Sequence, residues 1–190
     1  MQTQRTCDAC GGRGTVIENP CKACRGTGTV QATKTLEVSI PAGIDNGQRI
    51  SLRGQGSDGL RGGSAGDLLI SVAVKAHPVF ERDGYDIYCE VPITFTEATL
   101  GAEIDIPTLE GKEKFTVPEG TQTGTSFTLK QKGVPYVNNS SRRGDLIITV
   151  VIEVPKNLSS AQKEKLREFA ELSGETNYTK KTKFFKKFFK

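Results

Sequence analysis

Four cysteines stand in two matching settings near the start of the chain. Cys7-Asp-Ala-Cys10 is followed by Gly12 and Gly14, and Cys21-Lys-Ala-Cys24 by Gly26 and Gly28, so both segments fit C-x-x-C-x-G-x-G. Two thiolates three positions apart in a tight turn can grip one soft ion. Glycines just after the second cysteine let the backbone fold back and aim amides at the sulfurs. Two such turns supply four thiolates, the tetrahedral set that zinc prefers in structural sites. Cys7, Cys10, Cys21 and Cys24 are the expected metal ligands and zinc the expected ion, and the spacing allows all four on one ion. The competing chemistry is a redox pair of the thioredoxin kind, which needs a βαβ context that these residues lack. The plain alternative is four cysteines without a ligand.

The remaining reactive side chains point away from catalysis. Cys89 lies in Ile87-Tyr-Cys-Glu-Val91, an alternating run in which a small buried strand residue is the ordinary reading. His77 is the single histidine; beside Pro78, at the exit of a strand, it reads as structural. No serine–histidine pairing, phosphate loop or paired-carboxylate motif accompanies them, so no enzymatic activity is expected.

The elements that must hold these residues are mostly strands. The chain has 190 residues, of which 35% are apolar and 25% charged. That length suits one or two domains with a core of their own. Leu36-Glu-Val38-Ser-Ile40 alternates with period two and reads as a half-buried strand closed by Pro41 and Gly43. Arg49–Leu52 is a further short strand, Gly54–Gly66 a glycine-rich loop, Asp67–Val74 a buried strand and Tyr85–Thr96 an alternating one. Thr96-Glu-Ala-Thr-Leu-Gly101 reads as a short helix with Thr96 as N-cap and Gly101 as C-cap. After Pro155, Ser159 and Gln162 fit a capping box, and Leu166, Phe169 and Ala170 follow at helical spacing.

The net charge is +4, yet residues 180–190 hold six lysines and no acid, which leaves −2 for residues 1–179. The basic character belongs to the tail, and this weighs against a general nucleic-acid-binding surface. In that tail Phe184, Phe185, Phe188 and Phe189 share a face if it is helical; a flexible tail, or a segment near a dimer contact, is the preferred reading over membrane contact. The first residues carry no apolar signal segment, and the longest apolar runs are strand-sized, so a cytoplasmic location is expected.

An internal repeat organises the rest. IPAGIDNGQRISLRGQG at 40–56 matches VPEGTQTGTSFTLKQKG at 117–133 with an offset of 77, through the pairs Pro41/Pro118, Gly43/Gly120, Gly47/Gly124, Leu52/Leu129 and Gly56/Gly133. GDLLISVAV at 66–74 matches GDLIITVVI at 144–152 with an offset of 78. Two copies with the same turn glycines imply two similar β-domains in tandem. If so, Gly47 and Gly124 adopt equivalent conformations in equivalent turns.

The tandem cysteine repeats, together with SIPAGIDNGQRI, AGDLLISV, HPVFERDG, TEATLGAEIDIPTLEG, PEGTQTG and GDLIITV, resemble the DnaJ co-chaperone family over nearly the whole chain. That family joins a J-domain, a Gly/Phe-rich linker, four cysteine repeats, two β-domains and a dimerisation helix, and delivers unfolded polypeptides to a DnaK-type chaperone. The J-domain's His-Pro-Asp triplet is missing, since His77-Pro78 is followed by Val79, and so is a Gly/Phe linker. Only two cysteine repeats are present, resembling the family's third and fourth, and the opening strands of the first β-domain are missing. The resemblance therefore implies a C-terminal fragment.

The implied architecture is mostly β: a partial cysteine-rich zinc-binding hairpin region (1–32), two tandem small β-sandwich-like domains with a short helix (33–80, incomplete, and 81–157), and a C-terminal dimerisation helix with a basic tail (158–190). The family pairs its first repeat with its fourth and its second with its third, which would leave both cysteine pairs here without their family partners. Leu36 and Ile70, with Val38 and Leu68 as weaker candidates, match positions that line the family's groove for apolar client side chains; ordinary core is the alternative for them. The resemblance also implies a homodimer through Leu166, Phe169 and Ala170. Its partners would be unfolded clients and a DnaK-type chaperone, with no nucleic acid or membrane. The readings set against it are a zinc-ribbon nucleic-acid-binding protein and a thiol-disulfide oxidoreductase.

Overall fold

The computed structural model describes residues 5–188 except 13, 15, 60–62 and 175–176, together with the side chains of those residues apart from 186 and 188. It forms two compact units, Met1–Ser39 and Ile40–Lys190. The first consists of turns and extended chain. In the second the strands are β1 (Arg49–Leu52), β2 (Leu68–Ser71), β3 (Phe80–Asp83), β4 (Asp86–Thr94), β5 (Ala102–Thr108), β6 (Gly111–Val117), β7 (Ser126–Leu129), β8 (Pro135–Tyr136), β9 (Asn139–Arg143) and β10 (Leu146–Glu153). The helices are α1 (Phe95–Leu100), α2 (Ser160–Ser173) and α3 (Thr179–Phe188). The mostly-β class expected from the sequence is what forms.

The core belongs to the second copy of the repeat. A four-stranded sheet runs β3-β4-β10-β7, with β4 parallel to β10 and the other neighbours antiparallel. Ile87, Cys89, Val91 and Ile93 alternate inward from β4 and meet Leu146, Ile148 and Val150 of β10. Ala98, Ile106 and Val117 close the cluster from α1 and the β5–β6 hairpin. The period-two pattern of β4 turns one face inward, while Tyr88 of β4 and Val151 of β10 stay exposed on the other.

The two copies share their backbone bonding. Gly47 N–H donates to Val72 O at 2.9 Å, and Gly124 N–H to Val150 O at 2.8 Å. Val72 N–H returns to Gln48 O and Val150 N–H to Thr125 O, both at 2.9 Å. The two glycines have φ of 78° and 80°, as the repeat predicts. Gly54 N–H donates to the Asp67 carboxylate and Gln131 N–H to that of Asp145, each at 2.9 Å. β1 pairs with β2 antiparallel in the register in which β7 pairs with β10. Arg82 ties the copies together: its guanidinium donates to Ile44 O at 2.8 Å and Gly43 O at 2.9 Å, with Asp45 at 3.7 Å.

Four expectations need correction. Leu36–Ile40 alternates in exposure but forms no strand, because no ladder partner lies alongside it among the described residues. The strand read over Asp67–Val74 shrinks to Leu68–Ser71 and is half-exposed rather than buried, for it has one neighbour where β10 has two. The N-cap of α1 is Thr94, not Thr96. Thr94 Oγ1 accepts from Glu97 N–H, and the Glu97 carboxylate accepts from Thr94 N–H at 2.8 Å. Thr96 has no acid three residues on, so it cannot close that box. Finally, the tail forms a helix over Thr179–Phe188 in place of a flexible tail. Of its four phenylalanines, Phe189 and the side chain of Phe188 lie outside the described residues.

Candidate functional site

The two cysteine motifs fold into the same turn. Gly11 N–H donates to Cys7 O at 2.8 Å and Arg25 N–H to Cys21 O at 2.7 Å. The two residues after each second cysteine are left-handed: φ is 57° and 85° at Gly11 and Gly12, and 49° and 88° at Arg25 and Gly26. Glycine occupies that second position in both turns, because a side chain resists such a φ. The consequence is visible at Cys21. The amides of Cys24 and Ala23, and the Cys24 side chain, stabilise its thiolate and hold its pKa below the ordinary thiol range. Each turn is thus a two-sulfur claw whose donors suit a thiophilic ion. None of the five cysteines is in a disulfide. Among the described residues, no three His, Cys, Asp or Glu side chains converge tightly enough to hold an ion. The claws are built, but a four-sulfur site is not assembled.

The apolar candidates fall in two places. Leu36 and Val38 are half-buried in the extended end of the first unit. Leu68 and Ile70 lie on the same face of β2, in the second unit, and remain half-buried. Their repeat counterparts on β10, Leu146 and Ile148, are 0% exposed. The difference arises at the sheet edge: β10 pairs with both β4 and β7, whereas among the described residues β2 pairs with β1 alone.

Near the C-terminal end, α2 starts at the expected capping box, with Ser159 Oγ accepting from Gln162 N–H and the Gln162 side chain accepting from Ser159 N–H. Leu166 is 39% and Phe169 41% exposed, and Ala170 is exposed. Phe169 leans edge-on against Phe95 of α1, with ring centroids 6.2 Å apart. Phe95, Pro155, Leu158, Ala161 and Leu166 line an open apolar groove of about 610 Å³. His77 and Cys89 take the plain roles read for them. His77 Nδ1 accepts from Val79 N–H and Phe80 N–H, each at 3.2 Å, and its ring stacks on Phe80. Cys89 is buried, which pushes its thiol pKa up.

Sequence reasoning missed two groups. The Asp67 and Asp145 carboxylates brace the turn after the first strand of each copy, and the repeated Gly-Asp-Leu was the signal for them. Arg82 gave no such signal, because its carbonyl partners lie 38 and 39 residues away.

Residues 2–155 match the model of the DnaJ C terminal domain, and residues 161–190 match the Chaperone protein DnaJ C-terminal region. The chain belongs to the DnaJ C-terminal domain family. It is 57% identical over 183 residues to Chaperone protein DnaJ of Acetivibrio thermocellus, an alignment covering 96% of this chain and 47% of that protein. The Ruminiclostridium cellulolyticum protein of the same name is 57% identical over 183 residues, covering 96% and 48%. That of Clostridioides difficile is 59% identical over 169 residues, covering 89% and 44%. The chain spans about half the length of the curated relatives it matches. The repeated β-unit, β1–β2 and β7–β10, lies within the span matched by the DnaJ C terminal domain model. Among the described residues, no helix is long and apolar enough to cross a membrane.

Proposed function

We infer that this chain is the client-binding and dimerising part of a DnaJ-type co-chaperone in the cytoplasm, holding non-native polypeptides for transfer to a DnaK-type chaperone. The segments 33–80 and 81–157 act as the two β-domains and 158–190 as the dimerisation region. The observation that carries this reading is the open edge of β2. It presents the half-exposed Leu68 and Ile70 beside unused backbone groups, in a chain 57% identical to proteins named Chaperone protein DnaJ. An extended client gains main-chain hydrogen bonds from such an edge and side-chain preference from its apolar residues. Leu36 and Val38, in the first unit, are further candidates for apolar contact with clients.

The cysteine claws serve as structural zinc ligands. Zinc would tie thiolates of Cys7, Cys10, Cys21 and Cys24 and stiffen the region before the first β-domain; it takes no part in chemistry. The groove beside α2 is read as a contact with a second copy through Leu166, Phe169 and Ala170. Enzymatic activity is not part of the reading.

Ile70→Glu tests the client site. A charge placed where an apolar side chain docks weakens binding of an apolar extended peptide while the fold persists, because Ile70 is only half-buried. Unchanged peptide affinity would place the client groove elsewhere, and an unfolded variant would make Ile70 core.

A further inference from the structure

The tail carries chemistry that neither client binding nor zinc uses. Residues 180–190 hold six lysines and no acid, while residues 1–179 sum to −2. We propose that α3 is a docking helix for an anionic lipid surface, with its lysines on the headgroups and its phenylalanines at the acyl boundary. This departs from the family resemblance, which implies no membrane partner, and it rests on the helical form of the tail. An extended tail would mix lysine with phenylalanine along its length; a helix sorts them by side.

Helical periodicity sets Lys180, Lys183 and Lys187 in one row along α3. Phe184 lies beside that row and Phe185 across the axis from it. Phe188 takes the backbone position four residues after the first and three after the second. The sector between the two rings therefore turns away from the lysine row. Lys181 stands one turn before that sector, where its long stem can run along apolar surface and keep the ammonium at the headgroups. Thr182 is the one half-buried residue among the described side chains of α3, and its hydroxyl donates to Tyr178 O at 3.0 Å. The threonine side faces the protein. Phe184 is 63% and Phe185 47% exposed, and Lys180, Lys181, Lys183 and Lys187 are exposed as well.

Charge and apolar surface together select the occupant. None of the ion pairs among the described residues includes Lys180, Lys181, Lys183 or Lys187. A soluble polyanion would neutralise these lysines and leave the phenylalanine sector in water. A neutral bilayer would take the rings and offer the lysines no counter-charge. An anionic bilayer supplies both, as it does for basic amphipathic helices in general. The rest of the chain, at −2, gains nothing from such a surface, so the attraction is confined to the tail. α3 has ten residues, too few to span a bilayer, and so lies in the plane of the interface.

The surface is separate from the contact read for a second copy. No described residue of α3 lines the groove at Leu166. Nor does α3 place a residue in the core cluster, which the strands, α1 and the β5–β6 hairpin complete. Substitutions on α3 therefore leave the β-core intact.

The test is sedimentation of the full chain with vesicles of phosphatidylcholine alone and of phosphatidylcholine mixed with phosphatidylglycerol. The mixed vesicles should bind it at least about tenfold more tightly than the neutral ones. Raising the salt from about 0.1 M to about 1 M, which shortens the screening length from about 10 Å to about 3 Å, should release most of it. Lys183→Gln with Lys187→Gln should weaken binding by about tenfold or more. Phe184→Ser with Phe185→Ser should weaken it as much, although every lysine remains. Amide exchange in β4 and β10 reads that each variant keeps its fold. Equal binding to the two vesicle types, absence from both pellets, or binding indifferent to the phenylalanine pair would each overturn the proposal. So would tighter binding to a single-stranded RNA than to the mixed vesicles. A phenylalanine variant whose oligomeric state falls without lipid would assign α3 to the second copy instead. Affinity for an apolar extended peptide, unchanged in the phenylalanine variant, keeps this result distinct from the client reading.

Discussion

At the residue scale, identical residues carry different burdens because their neighbours differ. Gly144 lies under the Tyr85 carbonyl, whereas among the described residues a Cβ at Gly66 would meet only Ser57 O, at 3.8 Å. Gly144→Ala is therefore expected to lower stability by about 1–3 kcal/mol, the usual cost of overpacking a site with little room to yield. Gly66→Ala should leave urea unfolding of the chain alone nearly unchanged. Equal effects at the two positions would mean that the β4 entry is not what fixes Gly144. Cys21 and Cys89 make a second contrast. Amides hold the Cys21 thiolate at a pH where an ordinary thiol is protonated, while burial suppresses the Cys89 thiolate. In metal-free protein at pH 7, Cys21 should alkylate faster than in the denatured chain and Cys89 more slowly; stoichiometric zinc should then protect Cys21. Peptide mapping by mass spectrometry reads all three rates. Alkylation of Cys21 no faster than in the denatured chain would remove the thiolate argument, and indifference to zinc would remove the metal reading.

At the element scale, α1 depends on the local cap that Thr94 and Glu97 form. Backbone and side-chain hydrogen bonds from Thr94 hold the Glu97 pKa below its ordinary value. A depressed folded-state pKa means that the stabilisation is present above the unfolded value, about 4.3, and is lost as pH falls through the folded one. Glu97→Gln keeps a capping-box side chain but has no such titration. The stability difference between the native chain and this variant should shrink as the pH drops from about 5 towards the depressed pKa, as read by urea unfolding across that range. A difference independent of pH would show that the Glu97 charge contributes nothing to the cap. The box itself was legible, since Thr94-Phe-Thr-Glu97 is written in the sequence. Thr96 cannot form it, because Thr99 stands three residues on. The Leu36–Ile40 strand failed for another reason: period-two alternation marks residues able to line one face, but a strand exists only where a neighbour accepts its hydrogen bonds.

At the scale of the whole molecule, the C-terminal end carries the proposed contact with a second copy. Leu166, Phe169 and Leu172 leave apolar surface on α2, and Leu172 is 87% exposed. The contact of Phe169 with Phe95 covers part of that face within the chain and leaves the groove at Leu166 open. An isologous contact across that groove would use the same patch twice. Sedimentation of the intact chain should therefore show a dimer, and the chain ending at Pro155 a monomer. A monomeric intact chain at high concentration would mean that α2 serves only its own domain. The sequence by itself determined the cysteine turns, the capping box of α2, the alternating face of β4 and the duplication down to equivalent glycines. Each of these is written in spacings of a few residues or in a direct repeat. The tertiary structure alone decided that the second copy holds the core while the first stands open, that Arg82 joins them, and that Gly66 and Gly144 differ in what surrounds them. Those outcomes turn on which backbone lies beside which, across tens of residues of chain, and such proximity leaves no mark in local spacing.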